Sequence, residues 1–245
     1  MIDWHCHLLP GIDDGPATLD EAVNMARFLY QEGYRIVYCT PHLVKGSFEA
    51  DNAAVRAALD ALRAELVRKY MPLQLFPGRE YCVDEFLPEY LKDPLPLGET
   101  RFLLLEIPGY TPPAYVRETC YRIKLSGYIP MIAHPERCIH FEAPDHKPAR
   151  GIRRQLSILN FKLLISNYSN SADTSLLSYL IDIGCMFQAN LGSFAGMYGD
   201  RIKRNAVRLK QAGLYTHSGT DLHAVPAELP SESACLKTLY ADLTS

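Results

Sequence analysis

Short apolar runs alternate with stretches of helical periodicity along most of the chain, and this alternation narrows the fold more than any other feature. Ile2–His7 reads as a strand, and Thr18–Gln31 as a helix opened by a Thr18/Glu21 capping box and closed at Gly33. Leu19, Val23, Ala26 and Leu29–Tyr30 recur on one helical face. "RIVYCT" is a strand-like run stopped by Pro41, and a helix over about Ala53–Lys69 carries Val55, Leu59, Leu62 and Leu66 on one stripe. "LQLFPGREY" and "RFLLLEI" are further strands; a helix near Ala114–Ser126 leads to "IPMIAHPER", a strand running into a loop. The pattern resumes with a helix (Leu176–Ile183), "MFQANLG", a helix (Asp200–Gln211) and "YTHSGTDLH". Strands alternating with helices call for a parallel sheet, open or closed into a barrel. A single domain over residues 1–245 is the simplest partition, with an irregular excursion near 142–172.

Composition excludes several classes. At 245 residues, 48% of them hydrophobic, the chain can bury a large core and suits a barrel of repeated β/α units. Net charge is −3, and only "GIRR" and "RIKR" gather bases, so a nucleic-acid partner is not expected. No apolar run reaches the roughly 18 residues of a membrane span. The N-terminus lacks the basic flank and apolar stretch of a signal peptide, so a cytoplasmic location is expected. Seven scattered cysteines without a C-x-x-C read as buried free thiols. None has arginine six positions on, which excludes the C-x5-R thiolate phosphatases. No G-x-x-x-x-G-K-[ST] loop is present either.

His, Asp and Glu recur at strand ends. His5 and His7 stand two apart on the first strand, a spacing that projects both from one face with Cys6 opposite. His42 follows the second strand in "CTPH", Glu80 lies in "PGREY", and Glu106 ends "FLLLEI". His134 falls in "IPMIAHPER", and Asp221 and His223 in "GTDLH". The C-terminal strand ends of a β/α barrel form its active face. One such histidine is commonly structural, but a set from six elements points to a metal cluster, because so many imidazoles and carboxylates need cations between them.

"HCHLLPGIDDG", "CTPH", "PGREY", "LLLEIP", "AHPER" and "GTDLH", in this order, resemble the PHP (polymerase and histidinol phosphatase) superfamily. Within it they look most like the bacterial tyrosine-protein phosphatases associated with capsular and exopolysaccharide synthesis. The resemblance implies an α/β fold, a distorted (β/α)7 TIM-like barrel, holding three divalent metal ions. It assigns His5, His7, Glu80 and Asp221 to one ion, and Glu80, as a bridge, with Glu106 and His134 to the second. Asp14, His42 and His223 go to the third; Asp13 remains a turn or hydrogen-bonding residue. A mixed N/O ligand set suits Mn, with Fe or Zn as alternatives.

Arg137 in "HPER" fits a phosphate because its planar fork binds oxygens in pairs, and the resemblance places a phosphate-binding arginine there. A salt bridge with Glu136 is the structural alternative. Arg137 and His42 are thus the catalytic candidates, with Lys45 and Phe48 as candidates to flank an aromatic phosphoester and Arg79 as a structural residue. His140 and His146 are read as loop histidines, and Arg150, Arg153 and Arg154 as a solvated face. The expected activity is metal-dependent hydrolysis of protein phosphotyrosine, on a tyrosine autokinase of polysaccharide export. The rivals are a phosphatase of a metabolite such as histidinol phosphate, a nuclease, and an inactive metal-binding subunit.

Overall fold

The computed structural model describes residues 1–142 and 174–226. The expected excursion, except for Glu142, falls outside them, as do His146, Arg150, Arg153, Arg154 and Cys235. Within the described residues the strands are β1 (Ile2–Cys6), β2 (Ile36–Cys39), β3 (His42–Leu43), β4 (Gln74–Pro77), β5 (Glu80–Cys82), β6 (Phe102–Glu106), β7 (Ile129–Ala133), β8 (Met186–Asn190) and β9 (His217–Gly219). The helices are α1 (Leu19–Gln31), α2 (Asn52–Arg68), α3 (Leu87–Tyr90), α4 (Pro113–Leu125), α5 (Thr174–Asp182), α6 (Leu191–Ala195) and α7 (Asp200–Gln211).

All strand pairings are parallel, in the orders β1-β2-β4 and β3-β5-β6-β7-β8-β9. The two sheets are one curled surface, because β2/β3 and β4/β5 are each a single stave broken in the middle. Pro41, which has no N–H to donate, interrupts the first. Gly78 and Arg79 interrupt the second, and a Cβ on Gly78 would lie 2.5 Å from Leu97 Cδ2. Beyond the break, His42 restarts level with Glu80. Past β9, the Asp221 amide donates to His5 O (2.7 Å) and the His7 amide to Leu222 O (3.0 Å), which ties the last stave to the first. Counting each broken pair once, the described staves number seven, a distorted barrel.

Helices cover the outside as their stripes require. Thr18 Oγ1 accepts from the Glu21 amide, while Glu21 Oε2 accepts from the Thr18 amide, closing the expected capping box. Val23, Met25, Ala26 and Leu29 of α1 pack with Val55, Leu59, Leu62 and Leu66 of α2 over β1, β2 and β4. Each such large side chain contributes roughly 1.5–3 kcal/mol of burial. A second layer under α4, α5 and α7 includes Val116, Ile123, Leu180 and Leu209.

One local departure from strand alternation matters for the site. Asp3 pairs with Val37 but Cys6 with Cys39, so β1 carries one extra residue, a bulge. Trp4 therefore joins His5 in facing across the barrel. It stacks on Tyr38 (ring centroids 4.4 Å apart) and meets Phe102 and His217 edge-on, while His5 meets Gln188 of β8.

Candidate metal centre

Four side-chain atoms converge at the strand ends. His5 Nε2 lies 3.1 Å from His7 Nε2, 3.2 Å from Glu80 Oε2 and 3.2 Å from Asp221 Oδ1. His7 Nε2 lies 3.4 Å from the same Glu80 oxygen and 3.2 Å from the same Asp221 oxygen. The opposite ring nitrogens decide what these atoms are. His5 Nδ1 meets Gln188 Oε1 at 2.9 Å, and His7 Nδ1 meets Asp13 Oδ2 at 2.6 Å. Both partners are acceptors, and the Gln188 amide is fixed because its Nε2 donates to Ala189 O and its Oε1 accepts from the His134 amide. Each neutral imidazole thus carries its proton on Nδ1 and turns a lone pair inward. In these neutral tautomers two imidazole lone pairs and two carboxylate oxygens face one another, so either protons or a cation must come between them.

Such a group needs positive charge at its centre. A tetrahedral ion with ligands at about 2.0–2.1 Å has ligand–ligand edges of about 3.3–3.4 Å, close to the distances found. The protonation equilibria report the same demand. Burial works against charging His5 and His7, yet Glu80 and Asp221 raise His5, and Asp13 together with those two carboxylates raises His7 well above the usual histidine range. Burial pushes the Glu80 carboxyl up, but the imidazoles, His5 foremost, hold it well below the usual range. His42 Nδ1 stands 3.0 Å from Glu80 Oε2, yet neither atom makes an aligned hydrogen bond among the described residues. Donor chemistry and spacing both fit a divalent cation.

Two further groups share these residues. His7, Asp14, His42 and His223 form one, and His42, Glu80 and Glu106 the other, each with ligand atoms within 4.8 Å of one another. Asp14 Oδ1 lies 3.4 Å from His223 Nε2 and 3.8 Å from His42 Nε2. His134 Nε2 meets Glu80 Oε1 at 2.8 Å, but the compact group around Glu106 contains His42 in its place. His134 and Asp221 both have positive φ (30° and 53°), a backbone region that non-glycine residues seldom occupy away from functional sites.

The remaining sequence candidates fall into place around this cluster. Arg137 does not pair with Glu136: its Nη2 donates to Asp221 Oδ2, and its Nε has no hydrogen-bond partner among the described residues. Glu136 instead accepts from the Asn190 amide and Tyr215 Oη. Phe48 stacks on His42 (centroids 5.6 Å apart), whereas Lys45 is half exposed and tied to Glu49 at 2.5 Å. Buried Arg79 donates to Ala50 O, His42 O and Asn52 Oδ1, clasping the loop after β3. His140 Nε2 meets Thr111 O at 2.9 Å, away from the cluster.

Sequence reasoning missed Gln188, Asn190 and Tyr198. Asn190 Nδ2 donates to Asp221 Oδ2 (2.8 Å) and Tyr198 Oη (3.3 Å), and the Tyr198 ring lies under the Arg137 guanidinium. The available signal was two amides, Gln188 and Asn190, inside the otherwise apolar run "MFQAN". Asp13, read as a hydrogen-bonding residue, holds His7 and also accepts from the His42 and Gly15 amides.

A parallel α/β barrel with a histidine–carboxylate pocket at its C-terminal strand ends defines a PHP-type protein. More narrowly, the chain belongs to the CpsB/CapC family of capsular polysaccharide synthesis, which matches residues 1–148. It is 34% identical over 227 residues to the tyrosine-protein phosphatase YwqE of Bacillus subtilis, covering 92% of this chain and 78% of that protein. Tyrosine-protein phosphatase CpsB of Streptococcus agalactiae is 30% identical over 139 residues, 56% of this chain and 57% of the relative. A solved structure from work on YwqE of Bacillus subtilis and CpsB of Streptococcus pneumoniae, described as metal-dependent tyrosine phosphatases, superposes with a TM-score of 0.76. It is 31% identical and covers all of this chain and 88% of its own. Histidinol phosphate phosphatase of Lactococcus lactis, at 13% identity, shares the fold with a TM-score of 0.52 over 99% of this chain and 92% of its own.

Proposed function

We propose that this chain hydrolyses phosphotyrosine in proteins as a metal-dependent phosphomonoesterase. The observation that carries the reading is the group of four inward acceptor atoms, on His5, His7, Glu80 and Asp221, with the Arg137 guanidinium on the far oxygen of Asp221. The names of the relatives, YwqE and CpsB, supply the phosphotyrosine substrate.

His5, His7, Glu80 and Asp221 would hold one ion; Glu80, Glu106, His134 and His42 would serve a second; Asp14, His42 and His223, beside His7, a third. We infer three ions, manganese first with Fe or Zn as alternatives, since a mixed nitrogen and oxygen donor set suits each of them. Bound divalent ions would lower the pKa of a water and offset charge on phosphoryl oxygens. The chain does the rest. Asp13 and Gln188 would fix the histidine tautomers, and Arg137, held at Nη2 by Asp221, would offer its guanidinium to the phosphate. Phe48, on His42, presents a ring face to the substrate tyrosine, with Lys45 nearby on the same loop.

The physiological substrate we infer is a tyrosine autokinase of capsule synthesis, in keeping with the family to which the chain belongs. A cytoplasmic location is supported by the cysteines among the described residues, which are all buried and form no disulfide with one another. Among the described residues no helix is long and apolar enough to cross a membrane.

The test compares kcat/KM on a tyrosine-phosphorylated peptide and on histidinol phosphate, with Mn²⁺ and after chelation. Preference for the peptide and loss of activity on chelation are expected. Preference for histidinol phosphate would overturn the substrate, and indifference to chelation would overturn the metal reading.

A further inference from the structure

We infer that Tyr198 is the positioning residue that sets the plane of Arg137 for phosphate, a role that rests on the phosphate-binding reading of that arginine. The Arg137 guanidinium carbon stands 4.4 Å from the centroid of the Tyr198 ring. A cation over an aromatic face is attracted by the ring quadrupole and keeps its N–H groups free to point outward in its own plane. The arginine is held from two directions. Asp221 Oδ2 takes one Nη2 hydrogen, and the Tyr198 ring face lies against the guanidinium carbon, so the group is held at two points while Nε has no hydrogen-bond partner among the described residues.

The ring is itself anchored. Asn190 Nδ2 reaches Tyr198 Oη at 3.3 Å and Asp221 Oδ2 at 2.8 Å, so one amide fixes both supports of the arginine. Asn190 Oδ1 accepts from the Gly192 amide at 2.7 Å, which holds the amide group in turn. Local backbone chemistry presents the ring. Gly196 and Gly199, at φ 87° and 89°, flank Met197 and Tyr198 in a region where a side chain is strained. A Cβ on Gly192 would lie 3.3 Å from Tyr198 Cε2 and 2.9 Å from Met197 Sδ, so the absence of a side chain there makes room for the ring.

The experiment uses the full chain loaded with Mn²⁺ and inorganic phosphate as probe, titrated calorimetrically, with metal content and Tm measured alongside. Tyr198→Leu removes the ring, Tyr198→Phe keeps it, Gly192→Ala displaces it, and Arg137→Ala removes the group it serves. A cation–π contact only partly withdrawn from solvent, as Arg137 is, implies that Tyr198→Leu raises the phosphate Kd and substrate KM about fivefold to tenfold, with kcat changing less and metal content unchanged. Tyr198→Phe should stay within about twofold of the parent, and Gly192→Ala should follow Tyr198→Leu in direction. In an Arg137→Ala background, Tyr198→Leu should have no further effect, whereas a merely structural tyrosine would cost affinity in both backgrounds. An unchanged phosphate Kd in Arg137→Ala would refute the reading of Arg137 itself. A weakened Arg137→Ala beside an unaffected Tyr198→Leu, or equal losses in Tyr198→Phe and Tyr198→Leu, would overturn the role of the ring alone.

Discussion

Replacing Asp13 by asparagine should loosen the metal centre without removing a single proposed ligand. Asp13 makes three contacts, and every one is with a donor: His7 Nδ1 (2.6 Å) and the His42 amide (2.9 Å) on Oδ2, and the Gly15 amide (3.0 Å) on Oδ1. Burial pushes this carboxyl up, but the bond to His7 and its charge prevail and hold it below the usual range, so it is ionised at neutral pH. An asparagine has one acceptor and one donor end. In one orientation its NH2 opposes the Gly15 amide. In the other it opposes His7 Nδ1, which can accept only by moving the proton to Nε2, and that cancels the inward lone pair. Loss of a group that orients a liganding histidine typically costs about 10- to 100-fold in metal affinity. That corresponds to about 1.4–2.8 kcal/mol at 1.4 kcal/mol per tenfold. Competition of Mn²⁺ against a fluorescent chelator reads the affinity directly, with circular dichroism of the metal-free protein as the folding control. A Kd within about threefold of the parent, in a variant that folds, would show that Asp13 does not set the His7 tautomer.

Gln188→Leu should act in the same direction, by about tenfold in metal affinity, because Gln188 Oε1 is the acceptor for His5 Nδ1 at 2.9 Å; unchanged affinity would sink that assignment. Saturating metal at about 1,000 times its Kd should add about 4 kcal/mol of stability, and so raise Tm by about 8–16 °C in a chain of this size. A Tm indifferent to chelation would contradict a built cation site. His217 supplies a pH prediction away from the cluster: burial beside Trp4 and Phe102 lowers its pKa to about 4. The unfolded chain takes up that proton first, so the stability it contributes is complete above pH about 6.5 and is lost as pH falls toward 4. In chelated protein, urea midpoints at pH 7.5 and 4.5 should fall more steeply for the parent than for His217→Phe; equal slopes would refute the cause.

Period and turn chemistry made most elements legible: the Thr18/Glu21 box, the α2 stripe and several of the strand runs appear within a residue or two of expectation, whereas "YTHSGTDLH" is a strand only over His217–Gly219. Trp4 was not legible, because strict alternation sends it to the Cys6 side, and only pairing with β2 reveals the extra residue. The restart of the stave at His42, past the stop at Pro41, and the break at Gly78–Arg79 were likewise hidden, since neither shows until the neighbour's register is known. At the site, His and carboxylate types announced themselves at strand ends, and motif resemblance separated Asp14 from Asp13. Gln188, Asn190 and Tyr198 act through groups distant in sequence, and a lone amide or tyrosine carries no spacing signal. His134 was expected with Glu80 and Glu106, and it meets Glu80 Oε1 from a left-handed backbone that no sequence signal announces.

Asp221 faces two ways. Its Oδ1 looks toward the two histidines and its Oδ2 toward Arg137 and Asn190. A cation drawing on the first oxygen withdraws charge from the second and loosens its hold on the arginine, which then has more of its fork to give an anion. Occupancy of the two proposed subsites would therefore be coupled through one carboxylate, and thermodynamic reciprocity requires such a coupling to be equal in both directions. The factor by which metal tightens phosphate binding must equal the factor by which phosphate tightens metal binding, and Asp221→Asn should shrink both factors together.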